Sequence, residues 1–155
     1  MPVEIERKFL LSSDKWRDEV VRSSHIRQGY MGVIDKASVR IRIQGGRANI
    51  NIKSATLEIR RMEYEYEIPL DEAVEMLDEL CNQPQIDKTR YIVKRDGHVW
   101  EIDEFHGDNQ GLLVAEVELE IEDEAIIKPD WLGDEVTADS RYYNVSLIKH
   151  PFKVW

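Results

Sequence analysis

Glu4, Glu6 and Lys8 stand at alternate positions near the start of the chain, interleaved with Ile5 and Arg7 and followed by Phe9. In an extended strand successive side chains point to opposite faces. Two carboxylates and an ammonium then share one face, and Ile5 and Phe9 share the other. Carboxylates two positions apart lie roughly 6–7 Å from each other along a strand. At that spacing they can share a hard divalent cation or flank a pair of them, and the lysine one step on can hold the anion the metal serves. A solvated edge strand carrying Glu and Lys has the same pattern. The motif alone does not separate these readings; its recurrence does.

Arg40 and Arg42 alternate with Val39, Ile41 and Ile43, and Lys53 follows Ile50 and Ile52 in the same way. Glu63, Glu65 and Glu67 alternate with Tyr64, Tyr66 and Ile68. Lys88 and Arg90 lead into Tyr91 and Val93; Glu101 and Asp103 flank Ile102; Glu116, Glu118 and Glu120 alternate with Val117, Leu119 and Ile121. A half-buried sheet with one face in water also alternates, but here most strands carry a single sign. Like charges along one strand repel unless partners face them. Acidic strands facing basic strands across a closed barrel relieve that repulsion. The apolar faces then look outward and are covered by helices, which inverts the usual small barrel with its packed interior. Carboxylates of this kind are hard donors that suit Mg²⁺ or Mn²⁺, and Arg and Lys suit phosphate. A short polyphosphate with its metal satisfies both sets.

The elements needed to position these residues are legible. Glu4–Leu11, Ile26–Gly32, Ser38–Ile43, Ala48–Lys53, Arg61–Leu70, Lys88–Lys94, Val99–Phe105 and Leu112–Ile121 read as strands. Gly45-Gly46 and Asp96-Gly97 supply turn chemistry. Asp71–Asn82 is the strongest helix, ended by Pro84. Short helices are expected over Asp14–Val21, Glu122–Ile127 and Ser140–Lys149, the last capped by Asp139 or Ser140. About eight strands joined by short turns make a largely antiparallel sheet in an α+β fold.

The chain of 155 residues argues for one domain spanning residues 1–155. A net charge of −10 argues against nonspecific nucleic-acid binding and against adsorption to anionic membranes. Cys81 is the sole cysteine, so an internal disulfide and a thiolate zinc site are excluded. It lies at helical spacing with Ala73, Leu77 and Leu80 and reads as a small buried apolar residue. His25, His98, His106 and His150 show no metal-ligand spacing. With no apolar run long enough to span a bilayer and no leader pattern, a cytoplasmic protein is expected.

Glu4-Ile5-Glu6-Arg7-Lys8 resembles the N-terminal ExExK motif of the CYTH domain, the triphosphate tunnel metalloenzymes. Arg27-Gln28-Gly29-Tyr30, Arg40-Ile41-Arg42, Ile52-Lys53-Ser54, Glu63-Tyr64-Glu65, Lys88-Thr89-Arg90-Tyr91, Glu101-Ile102-Asp103, Glu116-Val117-Glu118 and Thr137-Ala138-Asp139-Ser140-Arg141-Tyr142 follow in the family's order. The resemblance is closest to the short bacterial inorganic triphosphatases. It implies an eight-stranded antiparallel barrel around a charged tunnel, flanked by a few helices.

The resemblance further implies that Glu4, Glu6, Glu116 and Glu118 hold Mg²⁺ or Mn²⁺. It implies that Arg40, Arg42, Lys53, Lys88 and Arg90 grip phosphates, with Arg141 as a further candidate, and that Lys8 and Tyr30 position the attacking water. Glu63, Glu65 and Asp103 either hold a second metal or balance the basic side of the tunnel. The implied reaction is metal-dependent hydrolysis of a triphosphate, with inorganic tripolyphosphate preferred because no base-binding pocket is evident. Adenylyl cyclase activity, thiamine triphosphatase activity and a non-catalytic polyphosphate-binding module are the alternatives. A small-molecule triphosphate is the expected partner, without nucleic acid or membrane, and a homodimer is compatible with the sequence.

Overall fold

Short turns tie neighbouring strands together, and every strand pairing among the described residues is antiparallel. The structure is a computed structural model and describes residues 3–55 and 59–155. In chain order the strands are β1 (Val3–Leu11), β2 (Val20–Ile34), β3 (Ala37–Gln44), β4 (Arg47–Ser54), β5 (Arg60–Ile68), β6 (Ile86–Arg95), β7 (His98–Phe105), β8 (Leu113–Glu118) and β9 (Leu132–Glu135). The α-helices are α1 (Leu70–Glu79), between β5 and β6, and α2 (Asn144–Lys149), near the C-terminus.

The sheet runs β5-β4-β3-β2-β6-β7-β8-β1, and β1 pairs with β5 to close an eight-stranded barrel. Strand β1 makes this closure by splitting its length. It meets β5 through Val3–Ile5 and β8 through Glu6–Phe9, while β9 adds at Phe9 and Leu11. The turns match their sequence signals. Gly45 and Gly46 both have positive φ between β3 and β4, as do Asp96 and Gly97 between β6 and β7. Gly29 serves close approach instead. A Cβ there would lie 3.0 Å from Cys81 Cβ and 3.1 Å from Leu77 Cδ2, so its absence lets the α1 region pack against β2.

Two apolar clusters lie on the outer face of the barrel wall. Ile5, Phe9, Val93, Trp100, Ile102, Ala115 and Val117 are covered by Trp16 and Trp131. Ile41 and Ala48 pack against Ala73, Leu77 and Cys81. A third cluster closes one end of the barrel. There the inward phase turns from charged to apolar, with Ile86, Phe105 and Val114, and Leu147 of α2 and Tyr142 pack on them. The inversion expected from the charge pattern is therefore present, with its apolar side chains outside and at one end.

The differences from the sequence reading lie in the short elements. Asp14–Val21 is a 3₁₀ turn at Lys15–Glu19, which buries Trp16, followed at once by β2. Pairing with β6 from Val20 onward draws the chain into sheet before a helix can lengthen. Glu122–Ile127 forms no helix; Glu124 instead turns back, its Oε1 accepting from Glu120 N at 2.8 Å. Ser140–Lys149 breaks at Tyr143, whose ψ of 134° separates a 3₁₀ turn from α2. The Asp139 carboxylate does cap that turn, accepting from Arg141 N at 3.1 Å. No described helix is long and apolar enough to cross a membrane.

Candidate active site

The barrel encloses a cavity of about 340 Å³ lined almost wholly by polar and charged side chains. The period-2 phase of each strand delivers them. Glu4, Glu6 and Lys8 project from β1, Arg40 and Arg42 from β3, Asn49, Asn51 and Lys53 from β4, and Arg61, Glu63 and Glu65 from β5. Lys88 and Arg90 come from β6, Glu101 from β7, and Glu116 and Glu118 from β8, with Tyr30 on β2.

The basic side is anchored on Asp103. Arg90 Nε and Nη2 each donate to its carboxylate at 2.8 Å, and Lys88 Nζ donates at 2.7 Å. Arg90 Nη1 donates to Glu101 Oε2 at 2.9 Å. Burial opposes the charge on Asp103, but Arg90 and Lys88 outweigh it and hold the carboxyl down to about 2. Lys88 is pushed down to about 7, first by burial, with Asp103 resisting and Arg90 and Arg42 adding repulsion. Burial, then Arg40 and Arg90, bring Arg42 down to about 9. Arg40 is the least tied of the cations: its Nε is buried without a partner, and its nearest carboxylate, Glu65, is 4.0 Å away.

The acidic side concentrates like charge. Glu6 stands opposite Glu118, and Lys8 opposite Glu116, across the β1–β8 pairing. Burial raises Glu6 to about 8, with Glu116 and Glu4 adding to the rise. Glu4 and Glu118 are raised as well, each first by burial. Glu116 is held well below the usual carboxylate range: burial works against this, but Lys8, Arg90 and Lys88 prevail. Lysines answer part of the charge. Lys53 Nζ lies 2.9 Å from Glu4 Oε2 and 3.4 Å from Glu63, and Lys8 Nζ lies 3.6 Å from Glu116 Oε1.

Of the sequence candidates, Glu4, Glu6, Lys8, Tyr30, Arg40, Arg42, Lys53, Glu63, Glu65, Lys88, Arg90, Glu116 and Glu118 all line this one cavity. Asp103 lies behind it, with both oxygens taken up by Lys88 and Arg90. Arg141 is not brought in. Its side chain is 60% exposed, paired with Asp139 at 2.8 Å and stacked over Trp155. The 3₁₀ turn at Ser140–Tyr142 aims it outward, away from the cavity lining. Lys8 and Tyr30 share the cavity, but their partners differ. Lys8 Nζ donates to Tyr142 O at 3.4 Å and sits 4.8 Å from the Tyr143 ring centroid, whereas the Tyr30 hydroxyl accepts from Gln28 Nε2 at 3.4 Å.

Several lining residues escape the sequence reading. Arg61 shares the phase of Glu63 and Glu65, a signal that was available; it approaches Glu4 at 3.4 Å. Asn49 and Asn51 share the phase of Lys53, but neutral amides do not stand out among charges; Gln28, in the phase of Tyr30, lies fully buried behind the lining. Tyr143 and Asn144 reach the cavity from the C-terminal segment, which no strand periodicity marks. The carboxylate-rich donor set on β1 and β8 fits a hard divalent cation. Among the described residues, however, no group of three acidic, His or Cys side chains is drawn into a metal cage. Glu4 and Glu116 turn instead toward Lys53 and Lys8.

The protein-family model of the CYTH domain matches residues 2–151. An inorganic triphosphatase of Acetivibrio thermocellus is 44% identical over 153 residues, covering 99% of this chain and 97% of the relative. An inorganic triphosphatase of Nitrosomonas europaea is 38% identical over 148 residues, covering 93% of this chain and 95% of the relative. A crystal structure of an inorganic triphosphatase superposes with a TM-score of 0.69 at 38% identity, covering 96% of this chain and 95% of that one.

Proposed function

The chain belongs to the CYTH domain family, and we propose that it is a divalent-metal-dependent triphosphatase that hydrolyses inorganic tripolyphosphate to pyrophosphate and phosphate. The observation that carries this reading is a single lumen in which cations of β3 and β6 share one cavity with carboxylates of β1, β5 and β8. The relatives named as inorganic triphosphatases support it over nearly the full chain. The family match over residues 2–151 also supports treating residues 1–155 as one domain.

Phosphoryl transfer is catalysed chiefly by positioning and by neutralising the transferring group. Arg40 and Arg42 offer guanidinium donors that neighbouring carboxylates leave free, and Lys88 keeps one N–H beyond those given to Asp103 and Asn144. Arg90 spends three donors on Asp103 and Glu101 and keeps two. Together they hold a polyphosphate chain and stabilise the leaving pyrophosphate. Glu4, Glu6, Glu116 and Glu118 would hold Mg²⁺ or Mn²⁺, which when bound neutralises phosphate oxygens. Lys8 acts by its charge on substrate and water, and the Tyr30 hydroxyl completes the hydrogen-bond geometry for in-line attack. Asp103 serves as counter-charge to Lys88 and Arg90.

The lining favours an inorganic chain over a nucleotide. The aromatic rings among the described lining residues are Tyr30 and Tyr143. Tyr143 is already approached by Lys8 at 4.8 Å and Arg61 at 5.3 Å, and Tyr30 is buried. A base would find little to stack on. The test is a phosphate-release screen over tripolyphosphate, ATP, GTP and thiamine triphosphate with Mg²⁺ and with Mn²⁺, paired with a cyclic AMP assay. Tripolyphosphate should give the highest kcat/KM, without cyclic AMP. Faster release from ATP or thiamine triphosphate, or cyclic AMP formation, would overturn the assignment.

A further inference from the structure

Two buried cations of the basic side, Arg42 and Lys88, are joined by neutral amides rather than by a carboxylate. Arg42 Nε donates to Gln28 Oε1 at 2.9 Å. Gln28 Nε2 donates to Asn144 Oδ1 at 3.0 Å, and Lys88 Nζ donates to the same oxygen at 2.8 Å. The chemistry fixes both amide orientations. Arg and Lys have donors only, so each amide must turn its oxygen to a cation, and Gln28 then has only its NH₂ left for Asn144. Gln28 is 0% exposed, so this bond has no water to replace it.

We propose that Gln28 and Asn144 are positioning residues, an amide bridge that sets Arg42 and Lys88 as one phosphate clamp and ties that clamp to the seated C-terminal segment. The inference rests on the triphosphatase reading and deepens it. Asn144 opens α2, whose Leu147 packs with Tyr142, Ile86, Phe105 and Val114 at the closed end of the barrel. Apolar packing seats the segment, and the Asn144 oxygen carries that seating to the clamp. Neutral acceptors fit this task. A carboxylate between Arg42 and Lys88 would hold them equally well, but it would repel the phosphate they face. Asp103 stands behind Lys88, away from the cavity lining, while the Asn144 end of the bridge lines it.

The test is a double-mutant cycle of Gln28→Met and Asn144→Ala, read as the dissociation constant for tripolyphosphate by calorimetry in EDTA. Binding without turnover separates this inference from the hydrolytic reading, which the phosphate-release screen decides. Each single variant should weaken binding about 10-fold, the scale of a hydrogen bond to a charged group. The double variant should lose no more than about 3-fold beyond the worse single, because both remove one unit. A purely structural role for Asn144 predicts instead that the two losses multiply to about 100-fold. That result overturns the proposal, as do single variants binding within about twofold of wild type or a wild type that does not bind. If Asn144→Ala does not fold, Asn144→Leu, which removes the oxygen acceptor but keeps the side-chain volume, takes its place under the same criteria.

Discussion

Lys88 Nζ lies 2.7 Å from Asp103 Oδ2, and both side chains are only 1% exposed. The same carboxylate receives Arg90 through two nitrogens. One buried anion thus compensates two buried cations whose remaining donors face the cavity. Buried charges that lose their partner cost far more than exposed ones.

Asp103→Asn should therefore destabilise the fold by about 3–5 kcal/mol. Glu101→Gln, at a partly exposed partner of Arg90, should cost about 1 kcal/mol or less. Urea unfolding of both variants checks the contrast. Equal midpoints would mean that Asp103 does not carry the basic side.

Glu6 gives the opposite sign. Its carboxyl sits near 8 in the folded protein against an ordinary value of 4.5, because of burial and of Glu116 and Glu4. Between those values the folded state holds a proton that the unfolded chain has released. The Glu6 contribution to the stability of the metal-free protein then falls as pH climbs through that window and levels off above it. Lys88, held down to about 7, works in the opposite sense above that value. Glu6→Gln should be more thermostable than wild type in EDTA at pH 8, by about 3 °C or more, with the gap closing toward pH 4.5. The same variant should show almost no hydrolysis, and Mg²⁺ or Mn²⁺ should raise its melting temperature less than that of wild type. Thermal scans across pH, with and without metal, decide it; an unchanged metal response would remove Glu6 from the metal site.

Much of this was legible in the chain. The single-sign alternation of Glu63–Glu67 and of Arg40–Arg42 dictated a barrel turned inside out, because period 2 fixes the facing side and like charges need partners across a lumen. What was not legible depends on contacts between segments distant in sequence. Arg141 sits in a motif-like segment, yet a 3₁₀ turn and Asp139 aim it at solvent. Asn144 carries no charge and no period, and only the packing of Leu147 places it beside Lys88. Strand β9, Leu132-Gly133-Asp134-Glu135, lacks alternation altogether and exists because β1 offers it a free edge.

Tyr30 and Arg42 should fail in different ways. Tyr30→Phe keeps the buried ring and removes the hydroxyl that accepts from Gln28. It should lower kcat roughly 100-fold or more with a smaller change in KM. Arg42→Ala removes a phosphate clamp and should act mainly on binding, raising KM about 10-fold or more. Steady-state kinetics on tripolyphosphate separates the two; an intact kcat in Tyr30→Phe would make that tyrosine structural.

The most direct measurement is phosphorus NMR of tripolyphosphate incubated with the protein and Mg²⁺ or Mn²⁺. The tripolyphosphate signals should disappear with equal molar appearance of pyrophosphate and orthophosphate, and should persist when EDTA is added. Tripolyphosphate left intact in the presence of either metal, or consumed equally fast in EDTA, would contradict the account of this lumen as a metal-dependent triphosphatase site.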